Sequence, residues 1–214
     1  MKAIVTRPAA QAAEWVARLA AHGVDAAALP LIAVLPPGDP AAVEAAWRAL
    51  GATSLVMFVS PNAVEHFFAA KPAGVAWPAA TRAASVGPGT TQALRGCGLP
   101  REAIVAPRAD ATQFDSESLW AVLRGEDWRG RHALVVRGEG GRDWLAERLR
   151  EAGATVAFVA AYRRAAPAFD AAARALLEAA RSAPHGHVWL LSSSEALDHL
   201  EAAATGLAWP QQQA

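Results

Sequence analysis

Short apolar runs and segments of helical period alternate along the chain, the pattern of an α/β fold built on parallel strands. Ala3-Ile4-Val5-Thr6 reads as a buried strand. Ala12, Trp15, Val16 and Leu19 then share one helical face, and Gly23 stands where a helix C-terminus favours positive φ. Val24 to Leu29 is the next strand, ended by Pro30, and right-handed crossover makes the two strands parallel. The proline-rich run at 32–40, IAVLPPGDP, predicts an extended hinge strand. Val43, Trp47 and Leu50 mark a helix stopped by Gly51. The continuous apolar run Leu55–Val59 predicts a strand covered on both faces. Ser60 is placed as an N-cap with Pro61 at the first helical position, and Val64, Phe67 and Phe68 turn inward. Ala83–Val86 is a strand that Gly87-Pro88-Gly89-Thr90-Thr91 turns into a helix carrying Ala93 and Leu94, broken by Gly96 and Gly98. Ile104-Val105 is a short strand, and Asp115-Ser116-Glu117 caps a helix holding Leu119, Val122 and Leu123.

From Arg131 the opening of the chain returns. At a slip of 130 positions Ala3, Val5, Arg7, Arg18, Leu19, Gly23, Ala27 and Pro37 meet Ala133, Val135, Arg137, Arg148, Leu149, Gly153, Ala157 and Pro167. SLVMFVSPNAVEHF at 54–67 lies on HVWLLSSSEALDHL at 187–200, and GVAWP at 74–78 on GLAWP at 206–210. A repeat of this length is domain-sized, so the chain reads as two copies of one α/β plan. In the second copy Val156–Ala161 is a strand with Tyr162 at its end. Phe169, Ala173, Leu176, Leu177 and Ala180 line a helix, and His187–Leu191 is a strand. Ser192 has capping-box spacing to Glu195, whereas alignment to the first copy makes Ser193 the cap of the helix with Leu197 and Leu200. After the second WP only QQQA follows, which makes the second copy C-terminally truncated.

Twenty basic and 20 acidic residues balance, so no global field points to nucleic acid or an anionic membrane. An apolar content of 53% is that of a globular chain. A single cysteine, Cys97, fits a reducing compartment and is expected as a small buried hydrophobe. The opening MKAIVTRP lacks a signal-peptide apolar region, and no uncharged apolar run reaches the ~18–20 residues of a membrane helix. A soluble, cytoplasmic protein is expected.

The candidate chemistry gathers at strand-to-helix turns, where open parallel sheets place ligands. Five turns are rich in small, hydroxyl or basic residues: Thr6-Arg7-Pro8, Ser60-Pro61-Asn62, Gly87–Thr91, Arg137–Arg142 around Gly138, and Ser192-Ser193-Ser194. Exposed N–H groups and the helix dipole make each an anion site, and each hydroxyl either caps its helix or faces a ligand. Their number suggests a ligand with several dispersed negative charges. No Walker loop and no GxGxxG turn is present, which leaves nucleotide binding unsupported. His185 and His187 have no carboxylate or thiol cluster nearby, so no metal site is expected. His66 and His199 are equivalent by repeat and fall inside helices as surface or packing positions. Tyr162, the only tyrosine, is either a packing residue or a phenol proton donor.

VTRP at the N-terminus, FVSPNAV at 58–64, SVGPGTTQAL at 85–94, DSESL at 115–119, VRGEGGRDWLAERLREAGA at 136–154, AYRRAAP at 161–167 and LLSSSEAL at 190–197 resemble uroporphyrinogen-III synthase along the whole chain. The resemblance implies two flavodoxin-like parallel-sheet domains joined by a two-stranded connector, here 1–31 with 167–214, and 32–166. It implies cyclisation of hydroxymethylbilane, a linear tetrapyrrole with eight carboxylates, to uroporphyrinogen III with ring D inversion and loss of water, as a step of haem biosynthesis. Neither metal nor cofactor is implied, and a monomer is expected. Tyr162 matches the family's catalytic tyrosine, and Thr90, Ser60 and Ser193 match hydroxyls lining its cleft. Thr6, Pro61, Asn62, Gly87, Gly138 and Ser192 join them as substrate-binding candidates. Arg7, Arg137 and Arg142 are either carboxylate partners or surface ion pairs. Val59 departs from the family, where many relatives carry Thr, and the shortened tail would have held a further cleft turn. The rival reading is a non-catalytic tetrapyrrole or polyanion binder on the same fold.

Overall fold

The computed structural model describes residues 1–108, 111 and 113–203. The GLAWP echo at 206–210 and the tail beyond it lie outside the described residues. The chain divides into two units, one built from Met1–Val34 with the chain from Arg164 onward, the other from Leu35–Arg163.

The larger unit is organised on strands β8 to β6 of a sheet of order β3-β8-β7-β4-β5-β6, where β3 is Ala33–Leu35, β4 Leu55–Phe58, β5 Arg82–Ser85, β6 Ile104–Val105, β7 His132–Gly138 and β8 Thr155–Ala165. The pairings of β8 with β7, β7 with β4, β4 with β5 and β5 with β6 are parallel. All four residues of β4 are buried because helices cover both faces of this central strand. Leu55 and Met57 point into a core with Leu119 and Leu123 of α5 (Ser116–Leu123) and Leu145 and Leu149 of α6 (Trp144–Glu151). On the opposite face, Phe58 meets Phe67 edge-on, and Phe67 stacks on Trp47 at 4.7 Å between ring centroids. Trp47 belongs to α2 (Pro40–Arg48) and donates its indole N–H to the Phe67 carbonyl, so the large ring is buried without an orphan donor. Phe67 belongs to α3 (Pro61–Ala69), which packs against α4 (Pro88–Gly96).

The smaller unit has the parallel order β2-β1-β9, with β1 Lys2–Val5 between β2 Ala26–Ala28 and β9 His187–Leu190. Ile4, Leu29 and Leu31 pack with Leu177 and Ala180 of α7 (Ala171–Ser182) and with Ala196 and Leu200 of α8 (Ser194–Ala203). Helix α1 (Ala9–Ala21) ends as the sequence predicts. Gly23 at φ 74° lets its own N–H bond the Ala20 carbonyl and the Val24 N–H the Leu19 carbonyl.

Several expectations give way. Cys97 is exposed rather than buried, because it follows α4 at its C-terminal end on the outer surface. Gly98, at φ 88°, terminates α4; Gly96 is its last helical residue. Gly51 stops no helix: α2 ends at Arg48 and Gly51 lies within a short 3₁₀ turn, Leu50–Ala52. Val122 and Leu197 are 39% and 42% exposed, each one position off the apolar stripe that Leu123 and Leu200 occupy. Strand β8 does not end before Tyr162 but carries the chain through it to Ala165.

Glu126, after α5, accepts two bonds from Arg82 at 2.9 and 2.6 Å and one from Arg131 at 3.0 Å, joining the starts of β5 and β7. The Arg82 hydrogen bonds, with the charges of both arginines, hold its carboxyl below the ordinary value of 4.5. A depressed folded value means the stabilisation is complete above 4.5 and lost as pH falls through the folded value. Glu126→Gln should therefore cost about 1 kcal/mol at pH 7, and urea unfolding of the two proteins should converge in acid.

Candidate active site

The larger unit aligns four strand ends side by side. Tyr162 comes from β8, Gly138 from β7, Ser60 follows β4 and Gly87 follows β5. Pairing of β7 with β8 is regular to Arg137 opposite Ala160, then slips so that Gly138 faces Tyr162. That one-residue irregularity reverses the alternation of side chains. Phe158 packs on the core beneath α5 and α6, and a regular strand would send Tyr162 to the same face. Instead the Tyr162 ring meets α3. Its hydroxyl lies 3.2 Å from Ser60 Oγ, and its ring lies 5.9 Å from the His66 ring at 28° between planes. The ring is 4% exposed.

Gly138 makes this possible. A Cβ there would sit 2.9 Å from Tyr162 Cζ and 3.0 Å from Cε2, inside contact distance. Ser60 caps α3 by accepting the Ala63 N–H at 3.2 Å, with Pro61 at the first helical position. With one lone pair so used, the Ser60 hydroxyl proton remains available to the phenol oxygen, which leaves the phenol proton for a bound group; the reverse polarity is equally allowed by the distance. Asn62 follows in the first turn of α3.

The Gly87 turn lies next to this one, since a Cβ on Gly89 would be 3.6 Å from Pro61 Cγ. Two helix N-termini thus stand together, and α4 has no side-chain cap. Thr90 is 4% exposed, and its hydroxyl makes no hydrogen bond among the described residues. Thr91 takes the local bonds instead, 2.6 Å from Ser85 Oγ and 3.2 Å from the Gly87 carbonyl. Arg137 is turned away from the phenol. Its guanidinium lies 4.3 Å from the Phe158 ring centroid and pairs with Asp143. Arg142 is exposed and has no ion-pair partner among the described residues.

The remaining candidates belong to the smaller unit. Thr6 is 1% exposed and donates its hydroxyl to the Leu190 carbonyl at 2.7 Å, tying β1 to β9. Arg7 contacts Gln11 and lies 5.3 Å from the Trp15 ring centroid. Ser192 is exposed and Ser193 half-buried, and α8 begins at Ser194, the boundary that repeat alignment implies.

Two groups of residues emerge only from the structure. His66 is brought against the phenol by the register slip on another strand, which no spacing in α3 announces. Arg95, Arg101 and Arg108 line a cavity of about 710 Å³ beside the Gly87 turn, with no carboxylate among the described residues lining it. The i, i+4 spacing of Thr91 and Arg95 was the available signal. Among the described residues no group of three or more His, Cys, Asp or Glu side chains could hold a metal ion, and no helix is long and apolar enough to cross a membrane.

The family model described as uroporphyrinogen-III synthase HemD matches residues 13–211. The chain belongs to this family. It is 31% identical over 180 residues to the uroporphyrinogen-III synthase of Salmonella typhimurium, spanning 82% of this chain and 70% of that protein. With that of Escherichia coli it shares 30% over 187 residues, 85% of this chain and 72% of the relative. The fold resembles a crystal structure of mutant uroporphyrinogen III synthase from Thermus thermophilus, with TM-score 0.59 at 17% identity over 94% of this chain and 76% of that one. In this member of the uroporphyrinogen-III synthase family, the strand-end row carries the phenol, two hydroxyls and two adjoining helix N-termini, of which α4 has no side-chain cap.

Gly138→Ala tests the cradle. Its backbone φ lies outside the left-handed region, so the added methyl acts through the ring alone. Stability should fall by about 1–2 kcal/mol, and the phenol–Ser60 contact should break, seen as a moved Tyr162 ring in a crystal structure of the variant. A ring in its original place would show the approach to be looser than described.

Proposed function

We propose that this chain converts hydroxymethylbilane to uroporphyrinogen III, a step of haem biosynthesis, in the cytoplasm as a monomer without metal or cofactor. The observation that carries the reading is a buried phenol, hydrogen-bonded to Ser60 at the row of strand ends, in a chain of this family. Tyr162 is the catalytic residue. Its hydroxyl protonates the hydroxymethyl oxygen, which leaves as water and generates an azafulvene cation. The substituted carbon of ring D attacks that cation. The spiro intermediate fragments and recloses with ring D inverted. The proton released as ring D regains aromaticity balances the one Tyr162 supplied, so the net products are the cyclised tetrapyrrole and water. Holding the ring D carbon within attack range is the larger contribution, a gain in effective concentration.

The eight carboxylates of the bilane need dispersed donors. The N-termini of α3 and α4, with Asn62, Gly87 and Thr90 and with Pro61 fixing the first turn of α3, are suited to them, each N-terminus worth about 0.3–1 kcal/mol at an exposed helix end. Arg142 offers an open guanidinium. Gly138 shapes the phenol's seat, and Arg137, Arg7, Thr6, Ser192 and Ser193 complete the proposed substrate-binding set.

The domain reading is 1–31 with 167–214, and 32–166, as a duplicated plan of about 130 residues. Strand order supports it. β1 and β7, the two copies of the opening strand, each lie between their own following strand (β2, β8) and a copy of the 54–67 and 187–200 segment (β9, β4).

Incubation with enzymatically generated hydroxymethylbilane and separation of isomers I and III is the test. Isomer III above the spontaneous background is expected; isomer I alone with tight binding would establish a polyanion binder in its place. Tyr162→Phe should slow turnover roughly hundredfold, the scale of a lost general acid, with the melting temperature held within a few degrees. A rate equal to that of the parent removes the phenol from the reaction.

A further inference from the structure

We propose that the cavity along the flank of α4 seats one pyrrole ring of the substrate by its two carboxylate arms, with Arg95 and Arg101 as the cations, an assignment that rests on the cyclase reading for the identity of the ligand. The cavity holds about 710 Å³, room for a small organic molecule and well beyond one inorganic anion. Three elements bring basic side chains to it. Arg95 comes from α4, Arg101 from the 3₁₀ turn Arg101–Ala103 that leads into β6, and Arg108 from the segment after that strand. No carboxylate is among the described residues lining it. Like charges gathered at one place repel, and an anion between them removes that repulsion.

Elsewhere in the larger unit arginines have acids of their own. Arg48 pairs with Glu44, Arg82 and Arg131 with Glu126, and Arg129 with Asp127. Arg95 and Arg101 make no hydrogen bond or ion pair among the described residues. Glu102, next to Arg101 in the chain, lines a different cavity. These two guanidiniums are therefore the cations that a ligand meets unpaired, each with a planar fork that matches a carboxylate.

The rest of the wall is apolar. Ile104, Pro107 and Phe114 line it. Phe114 is 48% exposed, and a Cβ on Gly87 would lie 3.7 Å from its own Cβ, so this aromatic side chain stands beside the Gly87 turn. An exposed ring next to unpaired guanidiniums fits a ligand with a flat apolar body and negative arms. Each pyrrole of the bilane is such a body, carrying two of the eight carboxylates. The position also fits. Gly87 and Pro88 line the cavity, and their turn adjoins the Ser60 turn through Gly89 and Pro61. Strands β4 and β5 pair directly, about 4.8 Å apart, which puts this seat within a tetrapyrrole's reach of the Tyr162 phenol.

The probe is a single pyrrole bearing one acetate and one propionate arm, with its dimethyl ester and inorganic phosphate as controls. Titrated into protein with ¹⁵N-labelled arginine, the diacid should shift the Nε–H resonances of Arg95 and Arg101, assigned by their loss in Arg95→Gln and Arg101→Gln. Each substitution should weaken binding roughly tenfold, the scale of one charge-assisted contact. Both side chains are exposed, so the two variants should melt with the parent. KM for enzymatically generated hydroxymethylbilane should rise by a similar factor in each. No shift at either arginine overturns the proposal, as does an ester that binds as tightly as the diacid. Phosphate binding as tightly as the diacid overturns it in favour of a small-anion site. A KM unchanged in both variants, with isomer III still made, overturns it and leaves the cyclase reading standing. Should the diacid bind through both arginines of a chain that makes no isomer III, the cyclase reading fails and the pyrrole-acid site stands.

Discussion

The candidate site depends on one slip of register between two parallel strands. Up to Arg137 and Ala160 the pairing of β7 and β8 is regular, and side chains alternate as a pleated strand requires. Beyond it one residue is skipped, and Tyr162 turns toward α3 instead of following Phe158 to the other face. A bulky aromatic could not take that place opposite an ordinary residue. The missing Cβ of Gly138 admits the ring, and the ring then finds Ser60 and His66. Glycine here serves close approach, not an unusual backbone angle.

With basic and acidic residues in balance, any anion site on this chain would have to work by local geometry instead of by a broad field. The larger unit offers backbone donors arranged in that way. Helices α3 and α4 start side by side, each opened by a proline that has no N–H to spare and followed by N–H groups that do. Capping differs between them in a useful way. Ser60 satisfies one donor of α3 while touching the phenol, whereas Gly87 leaves the donors of α4 without a side-chain acceptor. The cavity lined by Arg95, Arg101 and Arg108 lies along the flank of α4.

Most elements were legible in the sequence because their signals are local. The run 55–59 could only be a strand covered on both faces, and Ser60-Pro61 could only open a helix. The parallel α/β class followed from the same alternation. Errors arose where a residue's fate depends on what packs above it. Val122 and Leu197 have apolar side chains at near-helical spacing, yet both stay well exposed, and Cys97 follows α4 on the side that faces water. The turn at 60–62 was readable as a hydroxyl-bearing helix start. That Tyr162 would meet it, and would bring His66 along, was not. The skipped pairing joins Gly138 to Tyr162, far apart in the chain, and leaves no trace in the periodicity of either segment. Thr6 illustrates the reverse case, a hydroxyl at a predicted turn whose proton goes to a neighbouring strand, since Leu190 of β9 has a carbonyl within reach.

The pairing of β1 with β9 joins Lys2 to His187, and this has a consequence for how the protein is made. A ribosome delivers the first strand long before its neighbour exists. The larger unit has all its strands from β4 to β8 available once the chain has emerged past Arg163, and those contacts are comparatively short-range. The smaller unit holds β1, α1 and β2 as a fragment with one uncovered edge until α7 and β9 arrive. Closing so long a loop is slow, so during synthesis that apolar edge is the surface a chaperone would be drawn to.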